Sequence, residues 1–351
     1  MRGYPLALAV KRSICLFSHS VMAHHSMSDS TPSSSGPANE WDQFWKGSAG
    51  AHAYSAGGSK HPVLQQFWRD QYSSSLSEYP HGRMIDLCGG TGAVLSAAEG
   101  LSVSEGTELI SLDISVSALE LLVENYPYVR AIAADAAHVP LASESMDVVS
   151  SQFGVEYAGE QAIGEVARLP RAGGKLALVL HHSGGLIQQE CTANSDAIRR
   201  LIDSNFIPMA VDMFEKAYAM IRGAGSSEFH AAARAFRPVF RSLEPIMDDY
   251  GVEVASGTVA TLYNRVAEIQ KDAPRYNETE VIEWLVTMGS ELPGYADRMA
   301  AMCRSSRSAE QFKTLCAYLS QMNYQIQQAH PQQVAGTTLP MAWMLVAKRE
   351  G

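Results

Sequence analysis

A glycine-rich bend between an apolar strand and a helix constrains this fold more than any other feature of the sequence. Residues 83–88 form a short apolar run, and helical spacing begins again at residues 94–99. The bend between them consists of Gly89, Gly90, Thr91 and Gly92. Glycines allow a tight turn and let a ligand approach the backbone closely. The segment therefore predicts a strand–turn–helix unit that holds a ligand at its turn.

The alternation of strand and helix continues to residue 182, and strand character returns near the end of the chain. Strands are expected at 83–88, 108–113, 131–135, 146–152, 175–182, 321–329 and 341–349, and helices at 94–99, 117–126 and 160–169. Residues 170–174 (PRAGG) are expected to form a turn before the fifth strand. Apolar strands that alternate with helices indicate a parallel sheet covered on both faces. The sequence thus predicts an α/β fold with a mostly parallel sheet.

Two further segments flank this pattern. Residues 184–305 show helical periodicity and little strand signal, and they are too long for a loop in a compact domain. We interpret them as a helical insertion after the fifth strand, forming a lid or substrate region. Residues 41–183 and 306–351 are then expected to form the ligand-binding domain. Residues 1–40 are expected to be a flexible extension, because their end is rich in Ser, Pro and Gly.

The first 28 residues allow two interpretations. They contain three basic residues and no acid, with an apolar stretch at residues 4–10. A targeting sequence is one interpretation; an untidy N-terminal extension is the one we favour, because the apolar stretch is short and interrupted by charge. No run of about 18 apolar residues exists, so no membrane span is expected. The five cysteines are scattered and form no CxxC pair, which fits a reducing compartment and a cytoplasmic protein.

Charge and histidine spacing exclude several classes of partner. The chain has 27 Lys and Arg against 37 Asp and Glu, a formal net charge of −10. Proteins that bind nucleic acid usually neutralise phosphates with a basic surface, so nucleic acid is disfavoured as a partner. The histidines show no HExxH spacing and no paired carboxylates, so no metal is expected. A small-molecule substrate is the expectation that remains.

Acidic residues follow the second and third expected strands. Asp113 ends the second strand about 20 residues beyond the bend, where an acid can accept hydrogen bonds from both ribose hydroxyls of an adenosine. Asp135 and Ala136 end the third strand, where a carboxylate and the adjacent backbone can contact the adenine edge. Capping of the following helix is the alternative role for both acids.

Four motifs together resemble those of class I S-adenosylmethionine-dependent methyltransferases. Residues 86–92 (DLCGGTG) resemble the first motif, 113–115 (DIS) the second, and 135–149 the third and fourth; the turn at 170–174 is similar to the usual Lys-Pro-Gly-Gly. The resemblance covers about residues 83–182. It implies a Rossmann-like fold, with a mostly parallel seven-stranded sheet and an antiparallel last strand, and S-adenosylmethionine as the cofactor.

The resemblance also implies roles for individual residues. Asp86 and the bend would hold the methionine moiety, Asp113 the ribose and Asp135 the adenine. The positions assigned to the cofactor are Asp86, Gly89, Gly90, Thr91, Gly92, Asp113, Ile114, Asp135, Ala136 and Gln152.

Cys88 departs from the family pattern, since many members have glycine there. The quinone-biosynthesis C-methyltransferases also tolerate a non-glycine residue at this place, and residues 151–154 (SQFG) resemble their fourth-strand segment. Their substrate is not carried over, because the long helical insertion is foreign to that group. A nicotinamide-dependent dehydrogenase is disfavoured, because Leu95 stands where its third glycine is needed.

Residues that could take a proton from the acceptor follow the fourth and fifth strands. Glu156, His181 and His182 are the catalytic candidates, and Gln152 could only orient a partner. Neighbouring residues of a strand point to opposite faces, so only one of the two histidines is expected in the pocket. A reaction without a dedicated base is the remaining alternative, since the cofactor is already activated and the enzyme mainly aligns the nucleophile.

Three functional questions stay open at this stage. Tyr54 either closes over the cofactor or packs in the core. The aromatic and Met-rich helices between residues 201 and 302 either line an apolar substrate pocket or form plain core. The chain is expected to be an active methyltransferase, and a catalytically inactive cofactor-binding or regulatory module is the alternative.

Overall fold

The computed structural model describes residues 41–42, 45, 61–101 and 103–351. Within these residues seven strands form one sheet in the order β3-β2-β1-β4-β5-β7-β6. They are β1 (Arg83–Leu87), β2 (Glu108–Asp113), β3 (Arg130–Ala133), β4 (Met146–Gln152), β5 (Pro170–His181), β6 (Tyr324–Gln333) and β7 (Pro340–Arg349). Strands β1 to β5 are parallel to one another, and β7 runs antiparallel to both β5 and β6. The predicted Rossmann-like sheet and its antiparallel last strand are confirmed.

Helices cover both faces of the sheet. They are α1 (Pro62–Glu78), α2 (Ala93–Ser96), α3 (Val116–Asn125), α4 (Gly159–Arg168), α5 (Leu186–Asp203), α6 (Phe206–Ile221), α7 (Ser226–Arg241), α8 (Leu243–Tyr250), α9 (Val254–Lys271), α10 (Glu278–Ser305) and α11 (Ala309–Gln321). On one face Trp68 of α1 packs in a cluster with Val179 of β5. On the other face Ile163 of α4 and Phe312 of α11 pack against Leu180. Burial of both faces explains the apolar character of β1, β2, β5 and β7, whereas the edge strand β6 is polar and mostly exposed.

The helices between β5 and α11 build a core of their own. Buried aromatic rings, Phe206, Phe214 and Phe236 among them, lie at its centre. The segment is anchored to the sheet by α5 and α10, because Cys191 and Met302 share a cluster with the residues of β5 and β7. The helical periodicity read from residues 184–305 is thus what the structure contains there, from the start of α5 to the end of α10.

Several element boundaries differ from the sequence-based expectation; β6, for example, covers Tyr324–Gln333 rather than 321–329, because residue 321 still belongs to α11. Residues 170–174 lie inside β5 rather than in a turn: Pro170 pairs opposite Met146, and after a shift in register Lys175 pairs opposite Val148. The extra residues are absorbed as a bulge, in which Gly173 has a φ of 77°. Strand β3 ends at Ala133, so Asp135 lies in the loop that follows and not on the strand.

Other expectations concern residues that the structure does not describe. The extension over residues 1–40 and Tyr54 both lie outside the described residues. Among the helices that are described, none combines the length and the apolar character needed to cross a bilayer.

Candidate functional site

The bend after β1 is shaped by its neighbours on β2. Gly89 donates its backbone N–H to the Leu112 carbonyl at 3.1 Å. A Cβ on Gly89 would lie 2.3 Å from Ser111 Oγ, so only glycine fits there. Gly90 and Gly92 have φ values of 53° and 92°, in the left-handed region that favours glycine. The bend therefore presents bare backbone at the carboxyl end of the sheet.

Asp113 closes this bend from the end of β2. Its Oδ2 accepts the Gly90 N–H at 2.8 Å, and its Oδ1 accepts the Ser115 N–H at 2.9 Å. Burial raises the pKa of Asp113, and the backbone hydrogen bonds from Ser115 and Gly90 oppose the rise. A carboxylate has about four acceptor positions, so these two bonds leave room for hydroxyl donors of a ligand.

Asp86 lies on β1 beneath the bend. Its Oδ1 accepts a hydrogen bond from Ser150 Oγ at 3.0 Å, while its buried Oδ2 has none among the described residues. Burial raises the pKa of Asp86 to about 8; the Ser150 hydrogen bond opposes the rise and Asp113 adds to it. The unpartnered oxygen lies 3.0 Å from the place where a Gly89 Cβ would stand. A cationic ligand group at this point would satisfy the oxygen and lower the pKa again.

A backbone hydrogen bond holds the loop of Asp135 and Ala136 beside Asp113. The N–H of Ala134 donates to the Asp113 carbonyl at 3.0 Å, which fixes the start of this loop against β2. Asp135 Oδ1 accepts the Ala137 N–H at 2.8 Å, so its carboxylate caps its own turn. Its side chain is half-exposed and its Oδ2 lies 3.8 Å from His138 Nδ1. Capping and ligand contact are compatible, because only one oxygen is engaged by the backbone.

An N-terminal segment that the sequence did not connect with the site reaches it as well. Asp42 Oδ1 accepts hydrogen bonds from Ser115 Oγ at 2.6 Å and from the Ser117 N–H at 3.0 Å, which caps α3. The indole of Trp45 lies 3.0 Å from where a Gly90 Cβ would be. Trp41 packs edge-on against Tyr157, with ring centroids 5.5 Å apart. No spacing in the sequence indicates that these residues contact the bend or the Glu156 turn.

Gln152, at the end of β4, is held by helix α1. Its Oε1 accepts the indole N–H of Trp68 at 2.6 Å, and both side chains are buried. The carbonyl oxygen of this amide is therefore already engaged on the α1 face of the sheet.

The structure separates the two histidines and joins one of them to Glu156. His181 Nδ1 lies 2.7 Å from Glu156 Oε1, and the same oxygen accepts the His181 backbone N–H at 3.0 Å. His182 lies on the opposite face of β5, stacked on Trp343 with centroids 4.2 Å apart, where burial lowers its pKa. We therefore do not assign His182 a role beside the bend.

The turn that carries Glu156 lies against the glycine bend. A Cβ on Gly154 would lie 2.2 Å from the Cβ of Cys88, so these two loops are in direct contact. Cys88 and Phe153 have φ values of 55° and 52°, a conformation that non-glycine residues rarely adopt. Such backbone strain persists only where surrounding structure imposes it, and it is concentrated at functional sites.

The aromatic helices between residues 201 and 302 mostly pack on one another. Phe240 stacks on Tyr263 at 4.4 Å and lies beside Phe206 and Phe236. This packing favours the core alternative for these side chains. A surface cavity of about 650 Å³ between α5, α6 and α10 is lined by residues of 201–215 and 286–293, none of them a predicted site residue.

Comparisons with known proteins place the matching part of the chain on the sheet. The family model described as "Methyltransferase domain" matches residues 85–178, from β1 into β5. A demethylmenaquinone methyltransferase of Renibacterium salmoninarum is 30% identical over 113 residues, which cover 32% of this chain and 46% of the relative. The corresponding protein of Mycobacterium sp. (strain KMS) is 32% identical over 115 residues, 32% of this chain and 47% of its own. The chain thus spans about half the length of these relatives.

A further relative is matched over more of its length. An uncharacterized methyltransferase of Schizosaccharomyces pombe is 23% identical over 230 residues, which cover 64% of this chain and 86% of the relative.

Proposed function

We propose that this protein transfers a methyl group from S-adenosylmethionine to a small-molecule acceptor by direct displacement. The match of residues 85–178 to the family model described as "Methyltransferase domain" and the similarity to demethylmenaquinone methyltransferases support the proposal. The observation that carries the proposal is the contact of Asp113 with the bend, in which its carboxylate binds the Gly90 N–H at 2.8 Å. A carboxylate with unused hydrogen-bond acceptor positions therefore lies beside the backbone of the bend, as the binding of an adenosyl group requires.

The residues around the bend fit the cofactor part by part. Asp86 would hold the ammonium of the methionine moiety with its unpartnered Oδ2, and the bend from Gly89 to Gly92 would lie along it. Asp113 would hold the ribose hydroxyls, and Asp135 with Ala136 the adenine edge. The cofactor supplies a methyl carbon already activated by a sulfonium. The protein's task is then to align the acceptor and exclude water.

Two observations bear on the identity of the methyl acceptor. The net charge of −10 disfavours nucleic acid. The demethylmenaquinone methyltransferases match only about a third of the chain, and the family match ends before α5 begins. Their acceptor is therefore not carried over, because an acceptor pocket that includes α5 to α10 would have no counterpart in the matched region.

Calorimetry with S-adenosylmethionine and S-adenosylhomocysteine tests this function. We expect binding to the full chain and at least a tenfold loss of affinity in Asp113→Ala, about 1.4 kcal/mol or more. Glu108→Ala is the matched control: Glu108 begins the same strand and pairs with Arg83 and Arg130 at the opposite end of the sheet. Equal affinities in both variants would refute the assignment of Asp113. No binding by the wild-type chain would refute cofactor dependence, and binding without methyl transfer to any acceptor would favour the inactive module.

A further inference from the structure

We propose that His181 is the catalytic base of this site and Glu156 its positioning residue. The methyl acceptor is then a weakly acidic group, either a hydroxyl or an activated C–H group, that must lose a proton. The inference rests on the proposed methyl transfer and adds the acceptor's chemical class. It starts from a pairing, since Glu156 and His181 contact each other in the interior, and the two are 5% and 1% exposed.

The hydrogen bonds fix which nitrogen can accept a proton. Glu156 Oε1 accepts the His181 backbone N–H at 3.0 Å, so this oxygen faces β5 as an acceptor. The ring Nδ1, 2.7 Å from the same oxygen, must then carry the hydrogen. Nε2 is left with its lone pair, and this buried atom has no hydrogen-bond partner among the described residues. A carboxylate that holds the far nitrogen of an imidazole is the arrangement that prepares a histidine for proton abstraction.

Aromatic rings pack against the pair, and such rings would suit an apolar, planar acceptor. Phe153 lies against the His181 ring at 4.4 Å and Tyr157 meets it edge-on at 5.6 Å. The strained backbone of Phe153 holds this ring in place, because its N–H donates to the Val179 carbonyl of β5 at 2.8 Å. Water is excluded from such surroundings, so the attraction between Glu156 and a ring that has gained a proton is stronger there than in water.

The pair also lies next to the place proposed for the cofactor. Gly154, between Phe153 and the turn of Glu156, contacts Cys88 at the start of the bend. Base and methyl donor would therefore face one acceptor. In the reaction the acceptor's proton moves to Nε2, and the freed electron pair forms the bond to the methyl carbon. The carbon–sulfur bond breaks with its pair left on sulfur, and the charge gained by the ring is balanced by Glu156.

A panel of acceptors that share one bicyclic skeleton tests the class: 2-naphthol, 2-tetralone, 2-naphthylamine and 2-naphthalenethiol, with S-adenosylhomocysteine formation as the readout. We expect turnover of the hydroxyl and the enolisable ketone, and product analysis distinguishes O- from C-methylation. Faster turnover of the amine or the thiol would overturn the proposal, and so would no turnover of any member by a chain that binds S-adenosylmethionine. Failure to bind the cofactor would instead refute the proposed function.

Variants then separate a base from a structural histidine. His181→Ala should lower kcat at least 100-fold with cofactor affinity retained, and added imidazole should restore part of the loss. Pyrazole has the same shape and little basicity, so rescue by both molecules alike would overturn the role as a base. His182→Gln, on the neighbouring position facing Trp343, is the matched control and should keep its kcat.

Glu156 is tested by the tautomer that it imposes. Glu156→Gln keeps an oxygen that can accept a hydrogen bond. This variant should have a lower kcat and a KM that changes less. Nitrogen-15 spectra should show the hydrogen of His181 on Nδ1 in the wild-type protein and a loss of this preference in Glu156→Ala. A wild-type His181 with its hydrogen on Nε2 would overturn the positioning role.

Discussion

Asp86 is the residue at which stability and ligand binding should oppose each other. Burial raises the pKa of its carboxyl from 3.8 to about 8, with a contribution from Asp113 and against the Ser150 hydrogen bond. At pH 7 the folded protein therefore keeps this carboxyl mostly protonated, whereas the unfolded chain holds it ionised. One pKa unit corresponds to about 1.4 kcal/mol, so this group destabilises the ligand-free fold at pH 7 on the order of 4 kcal/mol.

Asp86→Asn removes the titration and keeps a carbonyl oxygen for the Ser150 hydroxyl. A buried amide N–H that finds no partner costs about 1–3 kcal/mol, so we expect a net gain of about 1–3 kcal/mol at pH 7. The sign follows from proton uptake: between pH 3.8 and about 8 the folded state binds more protons at this carboxyl than the unfolded state does. Wild-type stability is lost as the pH rises through that window, and the advantage of the variant should grow by about 3 kcal/mol from pH 5 to pH 7.

Urea denaturation of the ligand-free proteins at pH 5, 6, 7 and 8 measures this difference. Asp147→Asn is a matched control, because Asp147 is a buried acid that is fully engaged, by Arg171 at 2.5 Å and by the Arg83 N–H at 2.7 Å; this variant should lose stability. Calorimetry should show Asp86→Asn binding S-adenosylmethionine at least tenfold more weakly, about 1.4 kcal/mol, since an amide offers no charge to an ammonium. A variant less stable than wild type at pH 7, with a difference that does not change with pH, would refute the reasoning.

Two further changes test how the bend and its cover are built. Gly89→Ala places a Cβ 2.3 Å from Ser111 Oγ and should cost about 1–3 kcal/mol in urea denaturation. The double variant with Ser111→Ala should regain part of this loss, and no recovery would contradict the clash. Asp42→Ala removes the cap that accepts the Ser117 N–H and should cost about 1 kcal/mol of thermal stability. Asp42→Asn, which retains an acceptor, should lose less; equal losses would contradict a capping role.

The parts of the site that the sequence predicted are those that sheet topology places together. Asp113 ends the strand adjacent to β1, so a parallel sheet necessarily brings its side chain to the bend that follows β1. The helical segment after β5 could also be predicted, because helical periodicity depends only on the local spacing of apolar residues. Its packing into a separate aromatic core depends on contacts between helices that no local pattern encodes.

The pairing of Glu156 with His181 could not be read in this way. It depends on a single helical turn at Val155–Ala158, on a left-handed Phe153, and on the register between β4 and β5. Each residue is a candidate by position alone, and only the three-dimensional structure brings one oxygen of Glu156 to both the backbone N–H and the ring Nδ1 of His181. Asp42 was missed because it lies far from Ser115 in the chain and no sequence spacing relates a cap to so distant a helix.

The loops of the proposed site and both ends of the helical segment lie close to His181. Strand order reverses between β1 and β4, and the loops that follow these two strands carry the glycine bend and the Glu156 turn. The helical segment leaves the sheet just after His181, and it returns where the Arg307 N–H donates to the His181 carbonyl at 2.8 Å. Both of its ends are therefore fixed to the residue proposed as the base.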